Sequence, residues 1–122
     1  MSKTILIVDD SASMRAVVQV ALRGTGYEMI EAGDGKAALA KMTGQKIHLI
    51  ISDVNMPVMD GITFVKEVKK MPAYKFTPIV MLTTEGQEAK KDEGRAAGAR
   101  AWMLKPFNPQ QLLAAVAKFI AP

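Results

Sequence analysis

The sequence predicts an α/β protein: a parallel five-stranded sheet covered by helices on both faces. Two observations carry that expectation. Five short apolar runs recur along 122 residues, separated by longer segments with helical signals. Several of the runs are almost continuously apolar, as expected of strands buried on both faces. The candidate strands are residues 4–8 (TILIV), 27–31 (YEMIE), 47–52 (IHLIIS), 77–82 (TPIVML) and 100–104 (RAWML). No repeat, linker or low-complexity stretch interrupts them, so residues 1–122 are expected to form one domain.

The elements follow in order. After the first strand, Asp10 or Ser11 can start a helix in which Val17, Val18, Ala21 and Leu22 face inward and which Gly24 and Gly26 stop. His48 lies within the third apolar run and reads as structural. Behind it, Asp60-Gly61 reads first as a turn. Residues 86–97 (GQEAKKDEGRAA) are the weakest helix: the apolar positions are alanines, and Gly94 costs about 1 kcal/mol relative to Ala in a helix interior. In the last helix Asn108 is the expected cap, Pro109 fits the first turn, and Leu112, Leu113, Val116, Ala117 and Ile120 form one stripe.

Composition narrows the function. Hydrophobic residues make up 49% of the chain and charged residues 23%, which argues for a packed core and against disorder. There is no cysteine, hence neither a disulfide framework nor a thiolate metal site. The first acid stands at position 9, too early for a secretory leader, and no apolar run reaches membrane-spanning length; a cytoplasmic protein without a membrane partner is expected. The net charge of +4 raises the question of nucleic acid, but the lysines are scattered in runs no longer than two and read as a solvated surface. The nine methionines read as core filler.

The strand ends are where chemistry collects. Ligands of open parallel sheets bind beyond the carboxyl ends of the strands. Strand 1 ends in Asp9 and Asp10, strand 3 in Asp53, strand 4 in Thr83 and Thr84, and strand 5 in Lys105-Pro106. A parallel sheet brings these groups to one edge. Clustered carboxylates repel unless a cation joins them, and an oxygen-only ligand set suits a hard ion such as Mg²⁺.

These motifs in this order (DD, DVNMPVMDG, TT and KPF) resemble the receiver domain of bacterial response regulators over the whole chain, and most of all the single-domain chemotaxis receivers of CheY type. The resemblance implies a flavodoxin-like three-layer (βα)₅ fold with strand order 2-1-3-4-5. It also implies that Asp53 accepts a phosphoryl group from a histidine kinase. Asp9, Asp10 and Asp53 would then hold Mg²⁺ with the Asn55 backbone carbonyl, Lys105 would meet the phosphoryl oxygens, and Thr83 would bond one of them. A cis peptide before Pro106 is implied as well. The family usually has Tyr or Phe, coupled to Thr83 as a switch, where this chain has the bulkier Trp102. By this reading the protein is a monomeric signalling switch rather than an enzyme in the ordinary sense. Its output would run to a flagellar switch or other effector protein through the face made by helix 86–97, strand 5 and the last helix. A phosphorelay intermediate or a kinase-regulating receiver is the alternative within the family. Outside it, a flavin or nucleotide binder would need a Gly-, Ser- or Thr-rich loop where this chain has DDSASM. A Mg²⁺-dependent small-molecule phosphatase would typically carry its nucleophile after strand 1 and have a cap domain.

Overall fold

In the computed structural model, residues 3–84 and 88–120 are described, the side chains of residues 88 and 89 excepted. The elements in chain order are β1 (Thr4–Val8), α1 (Ala12–Leu22), β2 (Glu28–Ala32), α2 (Gly35–Met42), β3 (Leu49–Asp53), α3 (Gly61–Lys69), β4 (Ile79–Thr83), α4 (Glu88–Ala97), β5 (Ala101–Leu104) and α5 (Pro109–Ala117). All strand pairs are parallel, in the order β2-β1-β3-β4-β5. Positions 86 and 87 of the expected helix 86–97 lie outside the described residues.

The side-chain alternation of the strands divides the core in two. On one face Ile5, Ile7, Leu49, Ile51, Val80 and Leu82 pack with Val18 and Leu22 of α1 and with Leu112 and Val116 of α5. On the other, Leu6, Ile50, Ile79 and Met81 pack with Met42 of α2 and Phe64, Val65 and Val68 of α3. Met42 and Met81 are fully buried, as core filler should be.

Among the described residues, four caps fix where helices begin. The side chains of Ser11, Asp34, Asp60 and Asn108 accept from the backbone N–H groups of Met14, Ala37, Thr63 and Gln111, and Asn108 forms a reciprocal capping box with Gln111.

The structure corrects several expectations. β2, β3 and β4 begin one or two residues later than the apolar runs suggest and end one later. Tyr27 is drawn out of the strand into the core, where its hydroxyl donates to the Ile120 carbonyl at 3.0 Å. His48 is structural as expected, but it precedes the strand: its Nδ1 accepts from the Thr4 N–H at 2.9 Å. Val17 is 49% exposed and Ala117 is exposed. Each helical residue turns about 100°, which leaves both at the outer edge of stripes already filled by Val18 and Leu22 and by Leu112 and Val116.

Candidate functional site

The sheet register assembles the site. Chain direction across the sheet reverses between β1 and β3, the switch point at which open α/β sheets leave a crevice. Val8 pairs with Ser52, so the next residues, Asp9 and Asp53, stand side by side beyond the carboxyl ends of these strands. Thr83 pairs with Leu104, which delivers Lys105 one residue further. The Lys105-Pro106 bond is cis.

One carboxylate oxygen from each of Asp9, Asp10 and Asp53 lies within 4.8 Å of the others. Asp9 and Asp53 are buried, whereas Asp10 is exposed. The Lys105 ammonium bridges the two buried acids, 3.1 Å from Asp9 Oδ2 and 3.2 Å from Asp53 Oδ1. The repulsion expected among the acids is therefore already relieved in part by a resident cation. Asp9 Oδ1 accepts from the Ser11 N–H, and Asp53 Oδ1 from the Val54 N–H, each at 2.9 Å.

Burial decides the Asp53 balance. It pushes the carboxyl above the ordinary 3.8, against the opposing pull of Lys105. Burial alone would lower Lys105, but Asp53 and Asp9 together outweigh it and raise the ammonium above 10.5. The result is a proton-holding cation locked between two acids.

The loop after β3 is shaped around this centre. Gly61 donates to the Val54 carbonyl at 2.7 Å, and a Cβ there would lie 2.2 Å from the Asp53 carbonyl oxygen. Only glycine fits. Asp60-Gly61 is thus a helix cap and a close approach rather than a simple turn. Val58 has φ +70°, and the Met59 N–H donates to Pro57 O at 2.7 Å. This tight γ-turn stores strain beside the site.

Thr83 is 1% exposed and donates to the Thr84 carbonyl at 3.3 Å. Trp102 is half-buried on the same sheet face as Met81, where it packs against α4: a Cβ on Gly94 would lie 2.3 Å from the Trp102 ring. Asn55 is exposed in the loop, and its side chain accepts from Lys90 at 3.4 Å. Sequence reasoning missed Arg15, whose Nη1 donates to the Asp9 carbonyl at 2.5 Å while its Nε pairs with Glu31 at 2.9 Å. The available signal was its place one turn into the helix that follows the acid pair.

The donor set, three convergent carboxylates without His or Cys, fits a hard, oxygen-seeking ion such as Mg²⁺. Residues 5–117 match the family described as the response regulator receiver domain. The chain belongs to this family. Receiver domains interact with histidine kinases and effectors, bind Mg²⁺ at an acidic cluster, and are signalling proteins rather than conventional enzymes. Among its relatives is a probable chemotaxis protein CheY of Rhizobium etli, 39% identical over 113 residues that cover 92% of this chain and 88% of that one. The phosphate regulon transcriptional regulatory protein PhoB of Pseudomonas aeruginosa is 40% identical over 112 residues, covering 92% of this chain and 49% of the regulator. The chain thus spans about half the length of that relative. The solved structure of the chemotaxis response regulator CheY4 of Vibrio cholerae is 50% identical, with a TM-score of 0.91 over 98% of this chain and 100% of that one. No helix among the described residues is long and apolar enough to cross a membrane.

Proposed function

We propose that this receiver is a phosphorylation-dependent switch, one domain over residues 1–122, that takes a phosphoryl group from a histidine kinase on Asp53 and signals by protein–protein contact in chemotaxis or flagellar control. The observation that carries the reading is the Lys105 ammonium held between Asp9 and Asp53 beside the three-carboxylate cluster. Relatives named for chemotaxis and matched over most of their length support the setting.

In the proposed step an Asp53 carboxylate oxygen bonds to phosphorus as the bond to the kinase imidazole breaks, leaving its electron pair on that ring. The chain's part is positioning and charge neutralisation, which dominate phosphoryl transfer. The Val54 N–H orients Asp53, and Lys105, always charged at neutral pH, meets the anionic phosphoryl oxygens as a point charge. Asp9, Asp10, Asp53 and the Asn55 backbone carbonyl would hold Mg²⁺, which supplies further charge neutralisation when bound. The Thr83 hydroxyl is the group assigned to bond the transferred phosphoryl. Trp102, on the neighbouring strand, is the ring assigned to carry that change toward the face made by α4, β5 and α5.

Incubation with acetyl phosphate tests the assignment. Intact-mass measurement should show one added phosphate with Mg²⁺ present, and none with chelator or in Asp53→Asn. Labelling that survives Asp53→Asn would overturn it.

A further inference from the structure

We propose that the pole of the sheet opposite the acidic cluster is a second docking surface, which takes an acidic partner segment bearing an apolar anchor side chain. A groove of about 970 Å³ opens there between the α2–β3 and α3–β4 connections, at the amino ends of β3 and β4. Its apolar lining includes Ile47, Met71, Pro72, Tyr74 and Pro78. At its rim Phe76 is 84% exposed. Burying a Phe side chain is favourable, so a solvated ring beside an apolar floor is a feature that folding alone does not require.

The groove is built rather than loose. The Tyr74 hydroxyl donates to the Gln45 carbonyl and ties the two connections together. The Lys69 ammonium donates to the carbonyls of Lys75 and Thr77, at 3.1 and 2.7 Å, and holds the loop that presents Phe76.

Charge selects the occupant. The groove is lined by Lys46 and Lys70, and Lys75 stacks over Phe76 with its nitrogen 5.7 Å from the ring centroid. None of the described lining residues is acidic, and the neighbouring Glu67 is paired with Lys70 at 3.4 Å. Lys70 caps α3 and complements the helix dipole there. Lys46 and Lys75 lie outside any helix, so the dipole does not explain them. A concave apolar floor with a basic rim fits a peptide side chain flanked by carboxylates better than it fits a flat bilayer. The surface lies one strand length, about 16 Å, from Asp53. Binding is therefore independent of the phosphoryl state, and the surface acts as a constitutive tether.

Panning a random displayed peptide library against the full chain tests this, with synthetic copies of the enriched peptides titrated by fluorescence anisotropy. Enriched peptides should be rich in Asp and Glu around one or two large apolar residues. Their affinity should fall at least ~10-fold in Phe76→Ser and in Lys46→Glu/Lys75→Glu, with thermal melting and Asp53 labelling unchanged. Beryllofluoride should leave the affinity as it is. Peptides that bind these variants as well as the native chain would overturn the proposal. Sedimentation of the protein with phosphatidylglycerol vesicles, lost in Phe76→Ser, would also overturn it in favour of a lipid surface.

Discussion

Lys105 balances the buried charge of the site, and the strongest residue-level expectations follow from it. Its side chain and those of Asp9 and Asp53 are at most 13% exposed. Breaking a buried ion pair costs about 3–5 kcal/mol, because the remaining charge stays desolvated. Lys105→Met should therefore melt well below the native chain in chelator, and Mg²⁺ should restore part of the loss by binding the folded state. Equal melting of the two proteins in chelator would show that the ammonium does not hold the acids. Asp10 is exposed, so its share of the repulsion is screened; Asp10→Asn should change melting in chelator by no more than about 0.5 kcal/mol while weakening Mg²⁺ binding. Asp60 offers a pH test. Burial would raise its carboxyl, but the N–H and hydroxyl of Thr63 outweigh burial and hold it below 3.8. A carboxylate with a depressed folded value contributes stability that is present above its unfolded value and lost as pH falls through the folded one. Asp60→Ala should thus cost about 0.5–2 kcal/mol at neutral pH, and the gap should narrow in melts taken below pH 3.8. A gap that stays constant into acid would contradict the charge-assisted cap.

At the scale of elements, α4 shows how a sequence pattern and its structure diverge. Read alone, Gly94 is a weak point, and Ala there should gain about 0.5–1 kcal/mol. In the fold the absent side chain makes room for the Trp102 ring, which a Cβ would meet at 2.3 Å. Gly94→Ala should therefore fail to stabilise and should shift Trp102 emission as the indole is displaced; a higher melting point with unchanged emission would rule this packing out. Periodicity along one helix carries no signal for a ring arriving from another strand, so this partnership was not legible. The helix caps were legible where the capping residue stands beside a clear apolar stripe, as Asn108 does. Strand starts were less so, because Tyr27 and Thr77 look like strand residues yet pack outside the ladder. Stripe edges such as Val17 and Ala117 failed for a geometric reason: a helix covers only part of its circumference.

Across the whole molecule, the alternation of apolar runs with helical segments suffices for a parallel sheet, and the resemblance supplies its strand order. Once the sheet is parallel, the position of each acid at its strand end follows, which is why Asp9, Asp53, Thr83 and Lys105 could be named together before their spacing was known. The Arg15–Asp9 tie, the strained turn at Val58 and the groove beneath Phe76 depend on loop geometry that no local pattern encodes. The same architecture places β4, which ends in Thr83, between the Asp53 strand and the Trp102 strand, so an event at the acid cluster can be read at the ring through Thr83. Trp102 is the only tryptophan, and its fluorescence reports this position alone. Emission and iodide quenching, followed as beryllofluoride is added, test the central claim that a phosphoryl group on Asp53 is sensed at the α4–β5 face. Both should change in the native chain only when Mg²⁺ is present, weaken in Thr83→Ala and vanish in Asp53→Asn. An unchanged signal with beryllofluoride demonstrably bound, or an equal response in Asp53→Asn, would contradict the account.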